Sequence, residues 1–311
     1  MAMGLIEMKN RVSVVIPSFN CKRILFRLLQ SLKKSDYPNF EVIVIDNGSK
    51  DGTLNEGREK FRWVKWIDAG VENIGWGGAY NLGFAHAVKN KSCKYVLMID
   101  SDVVIEPNMI LKLVERAQKR KEVGIVTPMI LYLSDKNWVN QAGAHVSLWT
   151  GKVSIGWGPK HKFQVARKVQ NSGTAMLIRR KVVDKIGGFD DWFIGYLDPD
   201  YCLRAKKAGY ETWYEPKAVA YHDQSKDQKV WGPRIFSRAY FLGRNRTLFM
   251  RRHGVNLLVY ILFTPLLWAY YLREAIRYGV FSKWVKLVCG TLIGFFYPLN
   301  RKLKIALPKT S

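Results

Sequence analysis

Through the first two hundred or so residues, short apolar runs alternate with segments whose apolar positions recur at helical spacing. The runs VSVVIP (12–17), EVIVID (41–46), WVKWI (63–67) and YVLMID (95–100) are rich in β-branched and aromatic residues, which predicts strands. Between the first two, Ile24, Leu25, Leu28, Leu29 and Leu32 share one helical face, and after Pro107 so do Ile110, Leu111, Val114 and Ala117. Strand and helix in alternation predict an α/β fold, a mostly parallel sheet flanked by helices. Residues 134–170 break the rhythm with Gly143, Gly151, Gly156, Gly158 and several tryptophans, which predicts hairpins or loops over the sheet edge.

The pattern changes again after Trp231. Residues 233–311 hold fourteen Lys and Arg but a single acidic residue, Glu274, so we expect a catalytic domain at 1–232 and a basic helical segment at 233–311. Within that segment, residues 255–272 carry no charge. As a helix they measure roughly 27 Å at about 1.5 Å per residue, short of a hydrocarbon core of about 30 Å. Arg251 and Arg252 precede this run, Arg273 and Arg277 follow it, and a second apolar run at 287–299 is too short to span. The expectation is therefore helices lying in the plane of an anionic membrane surface, or re-entering it, in preference to a true span.

The whole chain of 311 residues carries a formal charge of +25, which points to an anionic partner but does not choose between nucleic acid, acidic lipid and a phosphorylated substrate. Cys21, Cys93, Cys202 and Cys289 are scattered without a Cys-X-X-Cys pair, which speaks against a zinc site or a disulfide framework and for a reducing compartment. The first ten residues do not read as a secretory signal. The expected location is thus the cytoplasmic face of the cell membrane, held peripherally.

Five groups of residues carry candidate chemistry. Asp100-Ser101-Asp102 follows an apolar strand, which delivers two carboxylates to the sheet's C-terminal edge, where α/β sheets bind ligands and a hard cation finds oxygen donors. Oxygen donors favour Mg²⁺ or Mn²⁺ over zinc. After the first two strands come Pro17-Ser18-Phe19-Asn20 and Asp46-Asn47-Gly48-Ser49-Lys50-Asp51-Gly52-Thr53. Asp46 is placed to accept from a base or ribose, although the same residue types suit turns and helix caps.

The glycine-rich stretch from Asn73 through Gly77 to Asn81 leads into a helix, where backbone approaches a phosphate or sugar closely. An acidic, aromatic segment runs from Gly187-Gly188-Phe189-Asp190 to Asp198-Pro199-Asp200 and Arg204, and a desolvated carboxylate there suits a general base. Asp200 and Arg204, at i and i+4, read as a structural pair. His222, at the end of an extended run, reads as a metal ligand, a base or a surface residue.

In their order, VSVVIPSFN, DNGSKDGT, NIGWGGAYNLG, MIDSD, SGTAMLIRR, GGFD, DPDYCLRA and YH resemble the family 2 glycosyltransferases with a GT-A fold, nearest the rhamnosyltransferase-like enzymes of glycan assembly. The resemblance covers residues 12–246. It implies inverting transfer of a sugar from a nucleotide-sugar donor to a hydroxyl of a glycan acceptor, and the basic C-terminal segment suggests an acceptor held at the membrane on a polyprenyl carrier. By it, Pro17, Asp46 and Asp51 contact or shape the nucleoside pocket, and Asn73, Gly77 and Asn81 the region of donor sugar and phosphates. Asp100 and Asp102 hold the cation on the pyrophosphate, with His222 as a further ligand. Ser172, Gly173 and Thr174 line the sugar and acceptor site, and Asp198 is the base. Where relatives carry Glu-Asp, this chain has Leu197-Asp198 followed by Pro199, a departure that bears on recognition of donor sugar or acceptor.

Two readings from other classes compete. A nucleic-acid-binding protein gains from the charge, but no binding motif appears and much of the excess flanks apolar segments. A non-catalytic glycan-binding or scaffold relative is motivated by the missing Glu. A sugar-phosphate nucleotidylyltransferase is set aside, since the first strand leads to Ser18-Phe19-Asn20 instead of an Arg-containing glycine-rich loop.

Overall fold

The computed structural model describes residues 10–190, 195–226 and 236–299. The Trp192-Phe193-Ile194 part of the acidic motif and the expected boundary at 232 lie outside these residues. Strands β1 (Arg11–Ser18), β2 (Phe40–Asp46), β3 (Lys65–Asp68) and β4 (Cys93–Ile99) form the parallel half of one large sheet. Helices α1 (Lys22–Leu32), α2 (Thr53–Lys60) and α3 (Gly75–Lys89) make the crossovers. The third strand begins two residues later than its apolar pattern predicts, because the chain turns at Phe61 to Val64 and leaves Trp63 exposed.

The chain continues through β5 (Val103–Ile105), α4 (Met109–Gln118), β6 (Val123–Tyr132) and β7 (Asp135–Gln141). Short strands β8 (Ala144–Val146), β9 (Val153–Ile155), β10 (Gly158–Pro159) and β11 (Arg167–Val169) fill the segment read as hairpins, and β8 pairs with β9 as one. Then come β12 (Ala175–Arg179), α5 (Arg180–Ile186), α6 (Leu197–Lys207) and β13 (Glu211–His222). In space the main strands run β10-β7-β6-β12-β4-β1-β2-β3. Strand β12 lies antiparallel between β4 and β6, and β13 runs parallel to β6 and antiparallel to β5.

Because β1 is flanked by β2 on one side and β4 on the other, the winding reverses between them, and a crevice opens at their C-terminal ends. Ser18, Asp46 and Asp100 all emerge at that edge. Alternate side chains bury both faces of the sheet: Val14, Ile16, Val44 and Leu97 pack under α1 and α4, whereas Val15, Ile45, Val96 and Met98 pack under α3, α5 and α6. A three-layer sandwich results.

The chain ends in α7 (Ala239–His253), α8 (Leu257–Arg277) and α9 (Phe281–Phe296). Leu248, Phe249 and Met250 of α7 belong to the same buried cluster as Met176 and Tyr201, so the compositional break after Trp231 is not matched by a break in packing at α7. Among the described residues, no helix is long and apolar enough to cross a membrane. Arg251 and Arg252, expected at the head of the apolar run, are turned inward: Arg251 Nη1 donates to the carbonyls of Gly294 and Tyr297, and Arg252 pairs with Asp190 and Asp200.

Candidate active site

Asp100 is held where β4 ends. Its backbone N–H donates to Thr174 O at 2.9 Å, continuing the pairing of β4 with β12 by one residue and drawing the Ser172-Gly173-Thr174 loop against it. Thr174 adopts φ +60°, a left-handed conformation unusual for a β-branched residue, and its hydroxyl donates to Gln141 Oε1 at 3.2 Å. Asp100 Oδ1 accepts from the Tyr80 hydroxyl at 2.8 Å and Trp76 Nε1 at 3.3 Å. Both donors sit on α3 four residues apart, so the helix turns them to one face. Burial and the neighbouring charge of Asp102 push the Asp100 carboxyl up to about 6 against these donors and the field of His222.

The register of β13 on β5 sets His222 opposite Val103, and Asp223 N–H donates to Asp102 O at 2.9 Å. His222 is 4% exposed, which rules out the surface reading. Its Nδ1 lies 3.1 Å from Asn140 Oδ1, while its Nε2 stands 3.1 Å from Asp102 Oδ1 and makes no hydrogen bond.

Asp198 lies on the first turn of α6, half-buried, and makes no hydrogen bond with the described residues. A Cβ on Gly173 would come within 2.8 Å of its Oδ2, so only glycine lets the loop approach. Burial first, and the charge of Asp100 second, push the Asp198 carboxyl up to about 8. Asp100, Asp198, His222, Gly173 and Thr174 line one cleft of about 510 Å³ with Tyr132, Asn140, Gln141 and Trp157. Leu197 faces away and packs in the apolar cluster with Tyr196 and Tyr201. Pro199 falls in the helix's first turn, where the missing N–H has no partner to lose.

The other predicted residues divide into two kinds. Asp46 is 2% exposed; its Oδ1 accepts from Ser49 N–H at 2.9 Å and its Oδ2 makes no hydrogen bond. Pro17, buried in β1, pairs with Ile45 beside it. Asn73 bridges the loops, accepting from Asn47 Nδ2 and Gly75 N–H at 2.9 Å each. Gly77 is buried in the first turn of α3.

Three others are spent on the fold. Asp51 accepts from the backbone N–H groups of Lys22 and Thr53, tying the starts of α1 and α2 together. Asn81 is fully buried, and both ends of its amide bind the Phe189 backbone at 2.8 Å. That geometry places Asn81 under the GGFD turn instead of at a donor sugar, with Gly188 lacking the Cβ that would strike it. Ser172 is buried with its hydroxyl bonded to Thr127.

Asp200 extends its expected pairing. Besides Arg204 Nε at 2.8 Å it meets Arg252 Nη1 at 2.9 Å and His253 Nε2 at 2.8 Å. Burial alone would raise its carboxyl; these donors outweigh it and hold the carboxyl well below the ordinary range.

Sequence reading missed Trp76, Tyr80, Asn140 and Gln141. The first two were open to detection, lying inside the glycine-rich motif at i and i+4. The others come from irregular segments with no local signal.

Among the described residues, no three His, Cys, Asp or Glu side chains stand together in a ready-made metal-ligating cluster. The donors still suit a hard divalent cation: two carboxylates whose repulsion is only partly offset by Tyr80, Trp76 and His222, and a buried imidazole nitrogen without a hydrogen bond.

Residues 13–187, more than half of the chain, match the family model of glycosyl transferase family 2. The chain belongs to that family. It is similar to several curated members. A probable glycosyltransferase, YdaM, of Bacillus subtilis is 26% identical over 228 residues, covering 71% of this chain and 52% of the relative. Galactofuranosyltransferase GlfT2 of Mycolicibacterium smegmatis is 28% identical over 276 residues, 78% of this chain and 41% of the relative. N-acetylglucosaminyl-diphospho-decaprenol L-rhamnosyltransferase of Mycobacterium tuberculosis is 26% identical, covering 70% and 78%.

The chain thus spans about half or less of the first two. Among solved structures, mannosyltransferase PcManGT of Pyrobaculum calidifontis in complex with GDP-Man and Mn²⁺ superposes with a TM-score of 0.58 at 17% identity, covering 91% of this chain and 87% of that one. S. aureus TarS 1-349 with UDP-GlcNAc gives 0.57 at 16%, covering 90% and 79%. These likenesses establish the shared GT-A fold.

Proposed function

We propose that this glycosyltransferase moves a sugar, with inversion, from a nucleoside-diphosphate sugar to a hydroxyl of a glycan acceptor carried on a membrane lipid. The observation that carries this reading is the convergence of Asp100, Asp198 and His222 on one cleft at the C-terminal edge of the sheet. Pro17 and Asp46 bound the nucleoside side, and the unbonded Asp46 Oδ2 is an acceptor awaiting a donor group. Asp51 and Asn73 shape the loops beneath it.

Asp100, Asp102 and His222 would hold Mg²⁺ or Mn²⁺, which when bound neutralises the pyrophosphate and the charge that grows as it departs. Asp198 accepts the proton of the acceptor hydroxyl as that oxygen bonds to the anomeric carbon. The bond from that carbon to the phosphate oxygen breaks, its electron pair leaving with the nucleoside diphosphate. One displacement from the opposite face inverts the centre and needs no nucleophilic side chain. Asp198 suits the base because it is partly desolvated and no hydrogen bond with the described residues occupies its oxygens.

Attachment to an anionic membrane surface rests on α8, where Leu258, Ile261, Leu262, Leu266 and Tyr270 form an exposed stripe at i, i+3 and i+4, followed by the exposed Arg273 and Arg277. Serine at 258, 262 and 266 should abolish co-sedimentation with anionic vesicles; unchanged co-sedimentation refutes this placement.

A panel of nucleotide sugars incubated with membrane lipid extract, with and without EDTA, tests the main reading by mass spectrometry of the lipid. Incorporation of one sugar that EDTA abolishes is the expected result. Transfer undiminished in EDTA removes the cation, and donor binding without transfer from any nucleotide sugar favours a non-catalytic relative.

A further inference from the structure

The wall of the cleft beyond Asp100 carries a set of side chains that the donor reading leaves unused. Strand order places Pro17 and Asp46, on β1 and β2, to one side of β4, and β6, β7 and β10 to the other. A nucleoside seated against Asp46 therefore leaves the β6–β7 side free. There the pairing of Gly158 and Pro159 with Val139 and Trp138 fixes Trp157 at the cleft wall. Trp157 Nε1 donates to the Tyr132 hydroxyl at 3.1 Å, and its ring meets Trp138 edge-on at 5.1 Å between centroids. Two anchors hold the indole, yet it remains 47% exposed. An aromatic side chain held rigid with its surface in a cleft is a platform for a ligand with an apolar face.

Three amides stand among the polar groups around it. Gln141 is 9% exposed, and its Oε1 accepts from Thr174. Its Nε2 turns toward the same point above Gly173 as Asp198 Oδ2, the two lying 3.7 and 2.8 Å from where a Cβ would stand. Asn140, Gln224, Ile155 and Lys226 also line the cleft, and Lys226 is paired with Asp135 at 2.8 Å. Flat aromatic surface beside amide donors and acceptors, with the one lysine already paired to a carboxylate, matches a pyranose ring, whose C–H face stacks on indole while its hydroxyls bind amides.

We propose that Trp157, Tyr132 and Gln141 form the subsite for the acceptor sugar, with Trp157 stacking on the ring and Gln141 orienting the attacking hydroxyl toward Asp198. This deepens the transferase reading and rests on it. The subsite explains why the cleft extends past the carboxylates, and why a buried amide and a half-buried carboxylate converge over a glycine.

Saturation-transfer NMR of the full-length protein with methyl α- and β-glycosides of glucose, galactose, mannose and N-acetylglucosamine tests binding without turnover. At least one glycoside should receive saturation on its ring protons. Its half-saturating concentration should rise at least tenfold in Trp157→Ala and no more than threefold in Trp157→Phe, which keeps a stacking face. Calorimetric affinities for UDP, GDP and dTDP should move less than twofold in both variants. Glycoside binding equal in wild type and Trp157→Ala, binding of none of the glycosides, or a parallel loss of nucleotide affinity overturns the subsite. Glycoside binding that depends on Trp157, in a protein that transfers from no nucleotide sugar, upholds the subsite and defeats the transferase reading instead.

Discussion

Asp198 and Asp200 stand two residues apart on the first turn of α6, and their surroundings are opposite. Asp198 faces the cleft, with no hydrogen bond to the described residues, and its carboxyl is pushed up to about 8. Asp200 faces α7, and Arg204 of its own helix with Arg252 and His253 of α7 surrounds it and holds its carboxyl well down. Asp200 is buried and Asp198 half-buried at the cleft, yet burial by itself pushes both carboxyls up. What separates them is whether donors replace the lost water. A carboxylate fully supplied with donors is part of the scaffold, whereas one left without them is available to a substrate.

The largest expected effect follows from the cleft side. Asp198→Asn keeps shape and removes the base, so transfer should fall about 10²- to 10⁴-fold, with nucleotide affinity and melting temperature little changed. Steady-state kinetics beside a thermal melt decide it. Transfer at the parental rate takes Asp198 out of the chemistry and leaves its missing donors unexplained.

On the other side of the helix, Asp200→Asn should leave two guanidinium groups without their shared counter-charge. Removing one partner of a buried charge cluster costs about 3–5 kcal/mol, read as the loss of unfolding free energy in urea. The pH dependence has a definite sign. Asp200's carboxyl is lowered in the folded protein, so its stabilisation is complete above the ordinary carboxylate range near about 4. It is lost as pH falls below that range toward the folded value. The gap between the urea curves of parent and variant should therefore be equal at pH 7 and 5 and begin to narrow at pH 3. Equal loss of turnover in fully folded Asp200→Asn and Asp198→Asn would falsify the division between the two aspartates.

The same contrast explains how far the sequence could be read. The parallel half was legible because each strand carries its own apolar run and each crossover its own helical face. The Asp100-Ser101-Asp102 triplet was legible because position at a strand end needs no distant partner. The Asp200–Arg204 pair followed from helical spacing, but Arg252 and His253 arrive from a helix some fifty residues on, and no local pattern announces them. Asn81 belonged to a motif suited to phosphates, yet its amide is consumed by Phe189 more than a hundred residues away. The acceptor side of the cleft is assembled from β6, β7, the β9–β10 turn and β13, so it exists only through strand pairing.

A smaller version of the contrast lies at the nucleoside edge, between Asp46 and Asp51. Asp46 has one oxygen bonded to Ser49 N–H and one with no hydrogen bond. At Asp51, burial pushes the carboxyl up, but the Thr53 hydroxyl and the N–H groups of Lys22 and Thr53 outweigh it and hold it below the ordinary value. By the rule drawn from α6, Asp46 should serve the donor and Asp51 the fold. Asp51→Ala removes the acceptor for two helix starts and should cost about 1–2 kcal/mol, with nucleotide affinity following only as the loops loosen. Asp46→Ala should weaken UDP, GDP or dTDP binding several-fold with a smaller change in stability. Calorimetric titration beside urea unfolding separates the two, since a direct contact moves affinity first and a scaffold residue moves stability first. If Asp51→Ala weakened nucleotide binding at unchanged stability, donor satisfaction alone would not distinguish scaffold from site.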